Sequence, residues 1–415
     1  LVNRALFSQA DLDYATELVR RTMGPTPQHQ WPLLSDAVGA RVWVKHENHT
    51  MVGAFKVRGG LVYVDRLLRR RPTGPGLVTA TRGNHGQSLA YAGRSAGLPV
   101  TVVVPHGNSP DKNAAMRALG ATLVEAGNDF DAAREHAAHM AEAGGLELGP
   151  SFHPDLVLGV ATYARELFEG VDDLDAVYVP VGMGSGICGL IGVRDLMGLN
   201  SEVIGVVSDR APAVALSFEA GKVVTTTTAE TFVDGVACRV PDAVAIETIL
   251  SGASRVIRVS EDATAEAMRL LFSTTHNVPE PAGAIALAGL MAERDQMAGK
   301  RVAVVQTGGN ADSAMLAVVL SGLTPSADGR QPTLPVTDHL SGADQRSMSA
   351  EIDRMVATGT PLSAANPAHW ATAARTWSMP SAAAGTWNRS ATSTRSARVM
   401  PANRPFTDIK CWAVH

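Results

Sequence analysis

Short runs of β-branched and other apolar residues punctuate the first three quarters of the chain, at 42–44, 77–80, 100–104, 122–125, 176–181, 203–207, 256–259 and 302–305. Longer stretches with apolar positions at helical spacing separate them. This alternation predicts α/β architecture, a mostly parallel sheet wrapped by helices, because parallel strands buried on both faces read as continuous apolar runs. The runs fall into two groups, one around 76–152 and one from 153 to 320, each able to centre a sheet lobe. Ahead of them, Leu12, Ala15, Leu18 and Val19 recur at helical spacing behind a Ser8 to Asp11 capping pattern, which predicts a surface helix over 8–23. Pro25, Pro27 and Pro32 end it.

The pattern changes at Thr324. From there to residue 415 Ala, Ser, Thr, Pro, Gly and Arg dominate, and the one stretch with helical character runs over 343–356. A poorly ordered, low-complexity tail is expected, the alternative being an irregular segment docked through four of the six tryptophans (Trp370, Trp377, Trp387 and Trp412), which lie in it. Charge divides at the same point. Residues 1–323 carry 27 basic and 34 acidic side chains and residues 324–415 carry nine and six, so the net charge of -4 averages two unlike parts. With 45% hydrophobic and 18% charged residues the composition is that of a globular protein, and it gives no reason to expect a nucleic-acid partner. No run approaches the roughly 18 apolar residues of a membrane span. Cys188, Cys238 and Cys411 are far apart and odd in number, so neither a disulfide framework nor a zinc knuckle is expected. A cytoplasmic location fits these features.

Candidate chemistry begins after the run at 176–181. Gly182-Met183-Gly184-Ser185-Gly186-Ile187-Cys188-Gly189 joins a strand to a helix, and such glycines let backbone N–H groups and a helix N-terminus approach a phosphate. Read from Gly184 the segment also spells GxGxxG, with Asp209 twenty residues past Gly189, which leaves a nicotinamide-dependent oxidoreductase open. Its position past residue 180 argues against that, since dinucleotide sites normally use the first strand-to-helix turn of their domain.

Two further segments narrow the choice. Lys56 stands beside Phe55 among small residues at a helix start, a semi-apolar setting that favours the neutral amine needed for Schiff-base chemistry. Ala80-Thr81-Arg82-Gly83-Asn84-His85-Gly86-Gln87 again follows a strand and opens a helix, offering backbone N–H groups to a carboxylate. With these, the blocks Gly53-Ala54-Phe55-Lys56-Val57-Arg58-Gly59, Gly83 to Gln87, the glycine loop, Phe232-Val233-Asp234-Gly235-Val236-Ala237, Glu280-Pro281-Ala282-Gly283 and Thr307-Gly308-Gly309-Asn310 stand in one order over roughly residues 5–320. In this the chain resembles the fold-type II pyridoxal-phosphate enzymes, and among them the threonine/serine dehydratase family.

The resemblance implies a two-lobed, tryptophan synthase β-like fold, with a large cofactor-binding domain from 1–75 and 153–323 and a small substrate-closing domain from 76–152. It implies pyridoxal 5'-phosphate as cofactor, carried on Lys56 as a Schiff base, with Asn84 on the ring hydroxyl, Thr307 on the pyridine nitrogen and Gly182, Met183, Gly184, Ser185 and Gly186 around the phosphate. Phe55, Gly235 and Glu280 join the cofactor set, and Thr81, Arg82, Gly83, Asn84 and His85 form the loop for the substrate carboxylate. The implied reaction is β-elimination from a β-hydroxy-α-amino acid such as threonine or serine, with Lys56 removing the α-proton and a 2-oxo acid and ammonia released. Bulkier or acidic substrates (phenylserine, hydroxyaspartate) and an amino-acid racemase remain alternatives within the fold, and a homodimer is implied.

The chain also departs from the family. Arg82 replaces the Ser or Ala of many relatives; it either binds a second substrate carboxylate or turns outward to other partners, and the latter is favoured because a charge facing the cofactor needs a partner when no substrate is bound. Val207 and Ala213 occupy the positions of carboxylates that hold a divalent cation in several relatives, so no metal is expected there. His46 with His49 and His136 with His139 read as surface histidines. The tail lacks the β-branched runs of a regulatory domain, so isoleucine feedback is not expected.

Overall fold

The computed structural model describes residues 6–128, 130–327 and 332–333. The chain divides into a unit from Leu1 to Gln345 and a second from Arg346 to His415. The second unit, and with it most of the 343–356 helical reading and the four tail tryptophans, lies outside the described residues. No helix among the described residues is long and apolar enough to cross a membrane.

Two sheets organise the first unit. One has six strands in the order β1-β2-β10-β7-β8-β9, namely β1 (Gln28–Gln30), β2 (Arg41–His46), β10 (Arg301–Gln306), β7 (Ala176–Pro180), β8 (Glu202–Ser208) and β9 (Arg255–Val259). All its pairings are parallel except that of β1, an antiparallel edge. The other is wholly parallel, in the order β5-β4-β3-β6, with β3 (Leu77–Ala80), β4 (Val100–Val104), β5 (Thr122–Glu125) and β6 (Glu147–Leu148). Their alternate residues separate onto two faces. In the larger sheet Val177, Val179, Val203 and Val305 pack with Leu158, Ala161 and Ile187 of the helices Pro154–Gly170 and Ser185–Leu196. Ala176, Tyr178, Ile204 and Val304 turn the other way, against Ile285, Leu287 and Met268 of the helices Pro281–Ala292 and Glu261–Thr275. With both faces covered, near-continuous apolar strands are what burial requires.

The helix Lys56–Arg70 belongs to both layers. Phe55, immediately before it, and Val62 enter the core of the larger sheet, while Tyr63, Val64 and Leu67 pack with Leu77, Leu89 and Val102 of the smaller one. At the chain's start the helix Gln9–Arg20 forms with its expected capping box, Ser8 Oγ accepting from Asp11 N and Asp11 Oδ2 from Ser8 N, and it buries Leu12, Ala15 and Val19. One histidine reading is corrected. His46 is fully buried, with Trp31 Nε1 donating to its Nε2 at 2.9 Å and Gln306 Oε1 3.1 Å from its Nδ1, and burial pushes its pKa down to about 4; His49, His136 and His139 are exposed.

Beneath the start of the helix Lys56–Arg70 lies a buried charge cluster that the apolar pattern does not reveal. Arg58 is 0% exposed. Its Nε and Nη2 donate to Glu47 at 2.7 and 3.0 Å, its Nη1 and Nη2 to Glu166 at 2.9 and 2.8 Å, and its Nη1 also to Thr162 at 3.0 Å. Lys45 Nζ donates to Glu166 at 2.8 Å and to the Thr26 carbonyl at 3.0 Å. Burial alone would raise the Glu166 carboxyl, yet Arg58 and Lys45 hold it below its ordinary value. Two cations and two carboxylates thus cancel in a buried site, Glu166 bonded to both cations and Glu47 to Arg58. Arg58→Met removes the central cation and leaves Glu47 and Glu166 with Lys45 alone, so a loss of ~3–5 kcal/mol in unfolding free energy is expected from urea denaturation; a loss under about 1 kcal/mol would mean apolar packing serves as well.

Candidate active site

The parallel strands deliver several helix starts to one place. The Ser185 helix follows β7, the helix Asn84–Ala96 follows β3, and the Lys56 and Pro281 helices begin beside the end of β10. Phe55 N donates to Thr307 O at 2.9 Å and Glu280 N to Gly308 O at 3.0 Å, which ties both helix entries to the residues leaving β10. Between these helix starts lies a small cavity. The structure gathers there the whole set Phe55, Lys56, Asn84, Gly182, Met183, Gly184, Ser185, Gly186, Gly235, Glu280 and Thr307. Pro180 and Ala282, which the sequence reading passed over, complete the wall, and each directly adjoins or belongs to a block already singled out.

Lys56 is the one cation in that wall. Its Nζ has no hydrogen-bond or ion-pair partner among the described residues and lies 4.9 Å from the Phe55 ring centroid. Burial pushes its pKa below the ordinary lysine value, and the Glu280 charge opposes this only in part. Glu280 is itself raised to about 7, first by burial and next by Asp234. Its two carboxylate oxygens accept from Asn84 Nδ2 at 2.8 and 2.9 Å, and Asn84 Oδ1 accepts from Asn310 Nδ2 at 2.8 Å. Asn310 lies in the block after Thr307, so this support was within reach of a sequence reading, but its partner was not.

The glycine loop has an anion-binding form. Gly184 is the N-cap of the Ser185 helix at φ +100°, and no side chain caps the helix's first N–H groups. A methyl group at Gly182 would sit 2.5 Å from the Gly235 carbonyl oxygen. Behind the loop, Tyr163 OH donates to Gly186 O at 2.9 Å and fixes its depth. The Asn84 helix likewise starts at Gly83 with no side-chain cap, and Thr81 Oγ1 accepts from Gly83 N at 3.1 Å to set the turn. Of the five residues read as the carboxylate loop, Asn84 reaches the cavity wall; Thr81, Arg82, Gly83 and His85 flank it. Arg82 is exposed. His85 Nε2 is buried without a partner, and burial, then the Lys56 charge, pushes the ring's pKa down to about 3. Asp209, the acidic residue of the nicotinamide alternative, is exposed and absent from the wall, and Val207 and Ala213 are fully buried.

The profile of the family described as pyridoxal-phosphate dependent enzyme matches residues 19–308. The chain belongs to this pyridoxal-phosphate dependent enzyme family. Among curated relatives, an L-threonine ammonia-lyase of Thermotoga maritima is 30% identical over 76% of this chain and 79% of its own. A beta-hydroxyaspartate dehydratase of Paracoccus denitrificans is 31% identical over 73% of this chain and 96% of its own. Among solved structures, processed threonine deaminase isoform 2 from Solanum lycopersicum superposes with a TM-score of 0.70 at 28% identity, covering 78% of this chain and 97% of that one.

As a member of the pyridoxal-phosphate dependent enzyme family the chain uses pyridoxal phosphate, and the cavity has the form that cofactor needs. An unpaired amine and an uncapped helix N-terminus behind a glycine cradle are sites for, respectively, an aldehyde carbon and a phosphate. Gly182→Ala pushes a methyl group against backbone that cannot yield cheaply. A loop displaced to relieve the clash misplaces its N–H groups, so pyridoxal phosphate is expected to bind at least ~10-fold more weakly in fluorescence titration, ~1.4 kcal/mol, and the same clash is expected to lower the thermal midpoint of the cofactor-free protein.

Proposed function

We propose that this protein is a pyridoxal-phosphate-dependent ammonia-lyase that converts a β-hydroxy-α-amino acid, threonine or serine, to a 2-oxo acid and ammonia. The observation that carries the reading is the isolated Lys56 amine, half-buried and unpaired among the described residues in a wall of helix N-termini. Gly182 to Gly186 and the first turn of the Ser185 helix would hold the phosphate. Asn84 would serve the ring hydroxyl by handing over one of the N–H groups it gives Glu280, and Thr307, whose hydroxyl has no partner among the described residues, would serve the ring nitrogen.

Bound pyridoxal phosphate supplies an electron sink conjugated to the substrate's amino nitrogen. The chain's residues do the rest. The uncapped N-terminus of the Asn84 helix orients the α-carboxylate, and Lys56 Nζ, held toward its neutral form by burial, takes the α-proton. Thr307 brings a hydroxyl where a carboxylate would hold the ring nitrogen protonated. With Thr307 there the bound cofactor would be a moderate electron sink, which would favour loss of a β-substituent over transamination. Water leaves with the β-hydroxyl and is returned when the amino group is released as ammonia.

The cavity's charges favour a neutral β-substituent. Lys56 is its one cation, Glu280 is in the wall, Asp234 precedes Gly235, and exposed Arg82 lies outside. A β-carboxylate, as in hydroxyaspartate, would meet acidic neighbours. Arg82 and the Paracoccus relative favour the acidic substrate as a second reading. A homodimer and a cytoplasmic location accompany the proposal, resting on the family resemblance.

Assays with threonine, serine, hydroxyaspartate and phenylserine separate these readings. Threonine or serine is expected to give the highest kcat/KM, and Lys56→Ala to lose at least ~10²-fold of it together with the borohydride-sensitive visible band. Arg82→Ala is expected to leave the substrate ratios as they are; a selective loss on hydroxyaspartate would move the reading to the acidic substrate. Cofactor-loaded protein that releases no 2-oxo acid from any of the four would sink it.

A further inference from the structure

The helix Pro110–Ala118 follows β4 of the smaller sheet, yet the side chains at its start bond to elements that border the larger one. Ser109 Oγ donates to the Asp312 carboxylate. Asp111 Oδ2 accepts from Ser313 Oγ at 3.2 Å and from Ser313 N at 3.4 Å, at the start of the helix Ser313–Leu320. Lys112 Nζ donates to Asp234 and lies 3.7 Å from Asp312 Oδ2. Its side chain is 11% exposed, whereas the two aspartates are about one-third exposed at 31% and 35%, so the ammonium sits inside the contact and the carboxylates at its rim.

Both ends of Lys112 touch the site. A methyl group built on Gly83 would lie 3.1 Å from Lys112 Cδ, so the lysine stem backs the loop that opens the Asn84 helix. Asp234, which takes the ammonium, directly precedes Gly235 of the cavity wall. We infer that Lys112 is a positioning residue, bridging Asp234 and Asp312 across the cavity's mouth to hold the Thr81 to His85 loop closed over the substrate. Burial alone would lower the Lys112 pKa, but Asp234, then Asp312, outweigh it and keep the ammonium charged. Without that charge the two carboxylates that share the ammonium, and the Glu280 charge that also acts on it, are left uncompensated, and repulsion opens what the ammonium closes.

The kinetic consequence rests on the ammonia-lyase reading; the structural one does not. In the holoenzyme, Lys112→Met is expected to speed hydrogen exchange about tenfold, ~1.4 kcal/mol of lost protection, in the first turns of the Pro110 and Asn84 helices while β10 stays protected. KM is expected to rise about tenfold with kcat within about threefold, since the loop binds the substrate and Lys56 performs the chemistry. Lys112→Arg is expected to restore most of both, and adding Asp234→Asn to Lys112→Met to recover part by removing the repulsion. Unchanged exchange in Lys112→Met, or equal damage in Lys112→Arg, overturns the inference. If Lys112→Met does not fold, Asp312→Asn decides in the same exchange measurement, faster exchange supporting the bridge and unchanged exchange overturning it. A wild-type protein without lyase activity defeats the functional reading, and exchange alone then judges Lys112.

Discussion

The Arg58 guanidinium and its two carboxylates determine where the reactive amine can be. Arg58 lies two residues past Lys56 on the same helix, and its bonds to Glu47 at the end of β2 and Glu166 of the Pro154 helix fix that helix in both rotation and height. Lys45 and Thr26 close the cluster from the other side. Apolar residues of similar volume could match it for stability, because desolvation offsets most of the attraction between buried ions. What hydrocarbon lacks is direction. A planar fork engaging two carboxylates admits one geometry, and a nucleophile two residues away inherits that precision.

Above this base the cavity results from topology and dipoles together. Parallel strands place successive helix starts at one edge of the sheet, and each start presents N–H groups that no side chain satisfies at Gly83 and Gly184. The accumulated positive character suits a doubly anionic ligand set, a phosphate at one helix and an α-carboxylate at another. Glu280 and Asp234 offset it near the amine. Asp234 helps to raise the Glu280 pKa, and the Glu280 charge only partly opposes the fall at Lys56.

Strands such as Leu77–Ala80 and Val100–Val104 stand where the apolar runs place them, because burial on two faces leaves an unbroken signature. β1 and β6 were not legible: Gln-His-Gln and Glu-Leu are short, polar edge segments whose strand character comes from a neighbour's ladder. The glycine loop and Lys56 could be found because they stand in order with four further blocks that together carry the family resemblance. Arg58, Lys45 and His46 could not, since charged and polar residues read as surface until a partner far along the chain is known. Lys112 is of the same kind, with Asp234 122 residues away.

Three lysines show how partners, more than burial, divide structure from chemistry. Lys45 is buried and its pKa is lowered, but its hydrogens are committed to Glu166 and the Thr26 carbonyl, so it cannot reach a ligand. Lys112 is nearly as enclosed, and Asp234 with Asp312 raises its pKa and keeps it a permanent cation. Lys56 has no hydrogen-bonded or ion-paired counter-charge among the described residues, and burial lowers its pKa with only the more distant Glu280 charge opposing. A fold that encloses a lysine either gives it a bonded counter-charge or shifts it toward the neutral amine, and this one does the first at Lys45 and Lys112 and the second at Lys56.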